Sequence, residues 1–173
     1  MQEVSVIIPN FNGMAYLDGV LAGLECQSVN NFEVILVDNG SSDGSCAFVA
    51  ARYPWVHLIE LPENFGFCKA VNEGIKASRA PYVLLLNNDI EVTENFIEEM
   101  IFAIKRHPKA FSCAARMIQF HDRDKLDDAG NYYCALGWAY ARGKGKDIHI
   151  YEKEEKIFAS CAGAAIYRKK IFD

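Results

Sequence analysis

Three polar side chains in a row, Asn87-Asn88-Asp89, follow an apolar run over residues 82–86 with no glycine or proline to turn the chain. Side chains of this kind offer oxygen ligands, and a carboxylate among them suits a hard octahedral cation, Mg2+ or Mn2+, that would neutralise a diphosphate. The competing role for Asp89 is capping of the following turn. Three further apolar segments, over residues 4–8, 32–37 and 55–59, lead into similar polar stretches. These are Pro9-Asn10-Phe11-Asn12-Gly13, Asp38-Asn39-Gly40-Ser41-Ser42-Asp43-Gly44 and Glu63-Asn64-Phe65-Gly66. Taken singly, such residues are ordinary turn and cap formers. Their convergence on one edge of a fold would make them a binding site.

The elements needed for that convergence are legible. The four apolar runs are rich in β-branched or bulky residues and read as strands, mostly buried on both faces. Between them, apolar positions repeat at helical spacing: Met14, Leu17, Leu21 and Leu24, then Phe48, Val49 and Tyr53, then Cys68, Val71 and Ile75. A fourth helix presents Phe96, Ile97, Met100, Ile101 and Ile104, with Thr93 as its N-cap and His107-Pro108 as its stop. The alternation of strand and helix predicts an open, largely parallel α/β sheet, whose ligands sit beyond the carboxyl ends of the strands. Residues 110–114 form another strand. Residues 119–155 read as polar turns with a solvated charge run, Glu152-Glu155 included, and 157–167 as a last apolar segment with small side chains at its centre. No repeat or linker divides the chain, so residues 1–173 are one domain.

Composition excludes several functions. With 18 basic and 23 acidic side chains the net charge is −5, and there is no basic stripe to serve nucleic acid. No apolar run is long enough to cross a bilayer, which predicts a cytoplasmic protein. The six cysteines lack metal-ligand spacing and read as reduced core thiols. The segment from Gly66 to Gly74 matches neither G-x-G-x-x-G nor the P-loop, which weakens nicotinamide and ATPase readings. No H-E-x-x-H and no G-x-S-x-G is present.

Four blocks carry a family resemblance: Val4-Ser5-Val6-Ile7-Ile8-Pro9-Asn10-Phe11-Asn12-Gly13, Glu33-Val34-Ile35-Leu36-Val37-Asp38-Asn39-Gly40-Ser41-Ser42-Asp43-Gly44, Asn64-Phe65-Gly66-Phe67 and Leu84-Leu85-Leu86-Asn87-Asn88-Asp89. In this order they resemble the family 2 inverting glycosyltransferases of the GT-A fold, and within them rhamnosyltransferase-like members that write N-N-D for the usual D-x-D. The resemblance implies a Rossmann-like mixed, mainly parallel sheet in a three-layer α/β/α arrangement. It implies a dTDP- or UDP-linked sugar as donor, a hydroxyl acceptor, inversion at the anomeric carbon, and Mg2+ or Mn2+ held by Asp89. Pro9, Asn10 and Phe11 would line the nucleoside pocket, with Asn12 and Asn39 in the same strand-end loops, and Asp38 would hydrogen-bond the pyrimidine. Gly66 would lie close to the nucleotide, and Asn87 and Asn88 would contact ribose or diphosphate. Many members carry an arginine just before the asparagine matching Asn72. Here that residue is Val71, which leaves two alternatives: Lys69 partly replaces the missing cation, or the donor is held differently.

The family's general base lies in an acidic E-D motif expected after Asp173, so residues 1–173 read as an N-terminal portion that binds donor without transferring sugar. Asp127-Asp128-Ala129-Gly130 resembles a segment near the acceptor or donor sugar, without a catalytic role for either aspartate. Residues 157–167 would form the floor facing the acceptor. The acceptor class implied is a glycan or lipid-linked saccharide, with peripheral association at the inner face of the membrane. Apolar side chains left uncovered predict a homo-oligomer. Two competing readings are a non-catalytic nucleotide-sugar-binding module and a nucleotidyltransferase. The latter is disfavoured because Pro9-Asn10-Phe11-Asn12 stands where a glycine-rich loop with Arg and Lys is needed.

Overall fold

The computed structural model describes residues 2–172. Strand β1 (Val4–Asn10) is followed by α1 (Met14–Glu25), β2 (Phe32–Asp38), α2 (Ser45–Arg52), β3 (His57–Glu60), α3 (Phe67–Ala77), β4 (Tyr82–Leu86) and α4 (Phe96–Arg106). Short strands follow: β5 (Ser112–Ala114), β6 (Met117–Ile118), β7 (Leu126–Asp128), β8 (Asn131–Tyr133) and β9 (Ala139–Ala141). The last strand, β10 (Ala164–Arg168), leads into a 3-10 turn over Lys169–Ile171. The main sheet has the order β3-β2-β1-β4-β10-β5. Strands β1 to β4 run parallel, and β10 is antiparallel to both β4 and β5.

Period-two alternation on the strands divides the core between two faces. Val4, Val6 and Ile8 pack with Leu17, Leu21 and Leu24 of α1, Val49 of α2, and Ile97 and Ile104 of α4. Ile7, on the opposite face of β1, packs with Val71 and Ile75 of α3. The result is a three-layer α/β/α fold with α1, α2 and α4 on one side and α3 on the other. Helix α3 lies close on the sheet because Gly74 has no side chain: a Cβ there would stand 2.4 Å from Ile7 Cγ2.

Several sequence expectations are corrected. Strand β3 begins at His57 rather than at residue 55, because a turn closed by Val56 N–H to the Tyr53 carbonyl holds Trp55 off the sheet. As an edge strand β3 is only half-buried, unlike the other three parallel strands. Thr93 does not cap α4. That helix starts at Phe96 after Asn95, and its Ile97 N–H donates to Gln27 Oε1, a side chain from beyond the end of α1, at 2.8 Å. Residues 119–155 contain more than turns: β6 pairs with β7 and β8 with β9, both antiparallel. The charge run is partly ion-paired, with Glu154 on Arg106 and His107 and Glu155 on the buried Arg142. All six cysteines are free; none is fully buried, Cys113 packs against the main core, and Cys26 and Cys68 are exposed.

Candidate functional site

The carboxyl ends of β1, β2 and β4, and the loop after β3, open onto a cleft of about 350 Å3. Its wall is formed by Pro9 and Asn10 at the end of β1 and Phe11 after it, Asn39 after β2, Asn64, Gly66 and Phe67 before and in α3, and Asn87, Asn88 and Asp89 after β4. Eight of the twelve residues expected from the sequence are therefore brought together. Asn12, Asp38, Lys69 and Asn72 are not on this wall.

A ladder of side-chain amides ties the strand ends to one another. Asn88 Nδ2 donates to Asn10 Oδ1 at 2.8 Å, and Asn10 Nδ2 donates to Asp38 Oδ1 at 2.8 Å and to Ser41 Oγ at 3.3 Å. Asp38 Oδ2 accepts the Ser41 N–H at 2.8 Å. Next in line, Asn39 Nδ2 donates to Asn64 Oδ1 at 2.8 Å, while Asn39 Oδ1 accepts the Phe65 N–H at 3.0 Å. Asn64 Oδ1 also accepts the Gly66 N–H at 2.9 Å, fixing the turn that opens α3. Gly66 sits at φ +85°, a backbone conformation in which glycine avoids Cβ strain.

Burial decides which of these groups are free to meet a ligand. Asn10 and Asp38 are each 2% exposed and their hydrogen-bonding atoms are occupied within the ladder. Burial raises the Asp38 pKa, but the bonds donated by Ser41 and Asn10 outweigh it and hold the carboxyl below its ordinary value. Asp38 is thus an ionised anchor for the Asn10 and Ser41 loops. In contrast Asp89 is exposed on the cleft wall and enters none of the ion pairs among the described residues.

The remaining expected residues lie around the cleft. Asn12, at φ +50°, is exposed, and it holds the β2–α2 loop through Ser41 Oγ and the Ser42 N–H. Lys69 points to Glu73 on its own helix, with Nζ to Oε1 at 2.7 Å, and Asn72 is exposed beyond it. Asp127 pairs with Lys144 and Asp128 is buried, bonded to the Gly130 N–H, so neither reaches the cleft.

Sequence reasoning left four contributors unassigned. Asn64 and Phe67 line the cleft, and Asp43 caps α1 across the loops by accepting the Met14 N–H at 2.9 Å. All lie inside or beside blocks that the sequence singles out; their signal was position within the block rather than residue type. Gly13 is the fourth. Its missing side chain makes room for the Asn10–Asn88 bond, since a Cβ would stand 2.1 Å from Asn88 Nδ2.

The arrangement can bind a nucleotide in parts. The rings of Phe11 and Phe67, both about half exposed, offer faces for a base, and the amides of Asn64, Asn87 and Asn88 suit sugar hydroxyls, whereas Asn39 is buried and its amide is spent on Asn64 and the Phe65 N–H. The described residues contain no group of three His, Cys, Asp or Glu side chains able to hold a metal on their own. One free carboxylate facing a cleft fits instead a cation whose other ligands come from substrate phosphates and water, the usual habit of Mg2+. No helix of the described residues is long and apolar enough to cross a membrane.

Comparison with known proteins agrees with this architecture. Glycosyltransferase GlyG of Streptococcus pneumoniae is 29% identical over 133 residues, covering 75% of this chain and 39% of GlyG. GlyA of the same organism is 24% identical over 180 residues, covering 99% of this chain and 25% of GlyA. The chain therefore spans less than half the length of these relatives. S. aureus TarS 1-349 in complex with UDP-GlcNAc superposes with a TM-score of 0.72 at 20% identity, over 99% of this chain and 46% of TarS 1-349. The mannosyltransferase PcManGT of Pyrobaculum calidifontis, in complex with GDP-Man and Mn2+, gives 0.62 at 21% identity, over 66% and 35%. These neighbours share the GT-A arrangement of sheet and helices. Residues 5–173 match the family described as Glycosyl transferase family 2, and with that match covering nearly the whole sequence, the chain belongs to this family.

Proposed function

We propose that the cleft binds a nucleoside-diphosphate sugar, dTDP- or UDP-linked, as the donor for glycosyl transfer with inversion to a hydroxyl of a glycan or lipid-linked saccharide. One observation carries this reading most directly. The free Asp89 carboxylate stands on the same wall as two aromatic rings and a row of amides, which matches diphosphate, base and ribose in one cleft. The complexes of TarS with UDP-GlcNAc and of PcManGT with GDP-Man and Mn2+ support it by analogy of fold. Rhamnosyl specificity rests on the N-N-D spelling alone.

In this reading Asp89 would hold Mg2+ or Mn2+, which, when bound, stabilises the negative charge of the departing diphosphate. Asn87 and Asn88 orient the donor from the end of β4. Asn10 and Asp38, saturated and buried, hold Asn88 and the β2–α2 loop in place and meet the nucleotide through position rather than contact. Inverting transfer also needs a base on the acceptor, worth roughly 10²–10⁴ in rate. Asp89 is the one carboxylate on the cleft wall, and the proposal gives it to the metal, so the base is assigned outside residues 2–172. A non-catalytic donor-binding module is the reading favoured by that same observation for these residues taken alone.

Titration calorimetry with UDP, dTDP, ADP and ATP, with Mn2+ and with EDTA, tests the proposal. Pyrimidine diphosphates should bind more tightly than adenine nucleotides and only with the cation. Equal or better binding of ATP, indifferent to EDTA, contradicts it.

A further inference from the structure

Strands β2 and β3 pair in parallel as far as Asp38 and Glu60, and the Leu61 N–H still reaches the Asp38 carbonyl at 2.8 Å. Beyond that point two loops run on beside each other. One is Asn39-Gly40-Ser41. The other is Glu63-Asn64-Phe65-Gly66, which brings Asn64 and Gly66 onto the cleft wall and leads into Phe67. From its buried position Asn39 draws the two together, through its bonds to Asn64 Oδ1 and to the Phe65 N–H.

How close they come is decided by the next residue. Gly40 sits at φ +77°, and a Cβ built on it would stand 2.6 Å from Glu63 Cα, 2.7 Å from Glu63 C and 3.0 Å from Asn64 N. All three are backbone atoms, so no side-chain rotation relieves the collision. Positive φ alone does not set Gly40 apart. Gly44, at φ +90° in the same loop, and Gly145, at φ +73° far along the chain, have nothing within 4 Å of an added Cβ. Those two meet a backbone requirement only, whereas Gly40 also permits a contact. Nor can the facing loop retreat as a body, because it ends in α3, which is held down on the sheet by the close approach of Gly74 to Ile7. An outward shift at Glu63 must therefore be absorbed between Asn64 and Gly66, the stretch that borders the cleft.

We infer that Gly40 is a positioning residue of the donor cleft. Its missing side chain lets Asn39 seat the β3–α3 loop, and its contact with Glu63 sets how far Asn64, Gly66 and Phe67 stand from the β1 and β4 side. The inference rests on the donor reading proposed above for what the cleft holds, and on the two loops alone for the spacing. Restoring an ordinary contact of about 3.5 Å moves the loop outward by about 1 Å, enough to cost a bound ligand its alignment with that wall.

The test compares Gly40→Ala with Gly44→Ala and Gly145→Ala in the 173-residue chain. All three place an alanine at positive φ and should melt below the parent. In the ligand-free protein, Gly40→Ala alone should shift the amide resonances of Gly66 and Phe67, which lie beyond the contact itself. It alone should weaken UDP binding with Mn2+, by about tenfold or more, while the other two bind UDP within about twofold of the parent. Should Gly40→Ala not fold, Gly40→Asn keeps the Cβ with less strain, since asparagine tolerates positive φ, and carries the same prediction. Unmoved Gly66 and Phe67 amides overturn the inference, and so does parental UDP affinity in the Gly40 variant. A loss of affinity shared equally by Gly44→Ala also overturns it, because strain in the loop would then be the cause. If the parent chain binds no UDP, the donor reading falls, and the amide shifts still decide the spacing role.

Discussion

Replacing Gly13 by alanine would put a methyl group 2.1 Å from Asn88 Nδ2 and 2.3 Å from Asn10 Oδ1, the two atoms that bond each other across the cleft. Ordinary contacts of a methyl carbon begin near 3.5 Å, so at least one amide must move by about 1 Å or more. Backbone strain is not the main cause, because Gly13 sits at φ −102° and ψ 19°, a negative-φ conformation open to alanine. Asn10 is 2% exposed and cannot retreat without dropping its bonds to Asp38 or Ser41. Leaving one such group unsatisfied costs about 1–3 kcal/mol, which for a domain of this size lowers Tm by about 2–12 °C. If Asn88 moves instead, the stability loss is smaller and UDP affinity falls, by about tenfold for each 1.4 kcal/mol of binding energy. Gly19, in the middle of α1 with nothing near its added Cβ, is the control. Gly19→Ala should gain about 0.5–1 kcal/mol and leave UDP binding alone. Thermal melts and calorimetry on both variants decide the matter: a Gly13→Ala protein that melts and binds UDP like the parent refutes the amide ladder as the frame of the site.

Asp89→Ala should abolish the cation dependence of UDP binding with a change in stability within about 0.5 kcal/mol, since an exposed strand-end carboxylate packs against nothing; calorimetry with and without Mn2+ measures it, and a large loss in Tm would assign Asp89 to capping. Gln27→Ala should cost about 1–2 kcal/mol in denaturant unfolding, because Gln27 both caps Ile97 and bonds the Gly23 and Thr93 carbonyls. Asp128 has its carboxyl pKa raised, by burial first and then by Asp127, so its ionisation opposes folding above the ordinary aspartate range and stability falls as pH rises through that window. Asp128→Asn keeps the bond to the Gly130 N–H and should melt higher than the parent at pH 7, with the advantage gone near pH 4; an unchanged difference across that range would show that charge is not the cause. The 173-residue chain should bind UDP yet transfer no radiolabelled sugar to glycan or lipid-linked acceptors, an expectation that transfer at the rate of a longer chain would overturn.

The parts of the fold that were legible are those where local pattern and tertiary position agree. Helical spacing at Leu17, Leu21 and Leu24 and the apolar runs of β1, β2 and β4 are read from sequence because α1 buries one continuous face and these strands are buried on both. Thr93 misled because capping propensity is local, whereas the cap that α4 uses comes from Gln27, 70 positions away in sequence from Ile97. Trp55 misled because an aromatic beside a valine looks like a strand until the Tyr53–Val56 turn is known. Within the site, the strand-end blocks announced themselves by composition. Composition could not tell a ligand-facing amide from one spent inside the protein: Asn10 and Asn88 have the same side chain and both border the cleft, and burial together with bond partners makes Asn10 the anchor. Lys69 illustrates the same limit, since a helical Glu73 four residues on claims its charge. The β8–β9 hairpin escaped notice because its strands are only three residues long.

Mn2+ itself can report where the cation sits. In a two-dimensional amide NMR spectrum of the 173-residue chain, paramagnetic broadening is followed as Mn2+ is added with and without UDP. The account predicts broadening centred on Asn87, Asn88 and Asp89 and extending to Asn10 and Gly66, strongest when UDP is present and absent in Asp89→Ala. Broadening centred on Asp127 and Asp128 or on the Glu152–Glu155 run, indifferent to UDP and to Asp89→Ala, would contradict it.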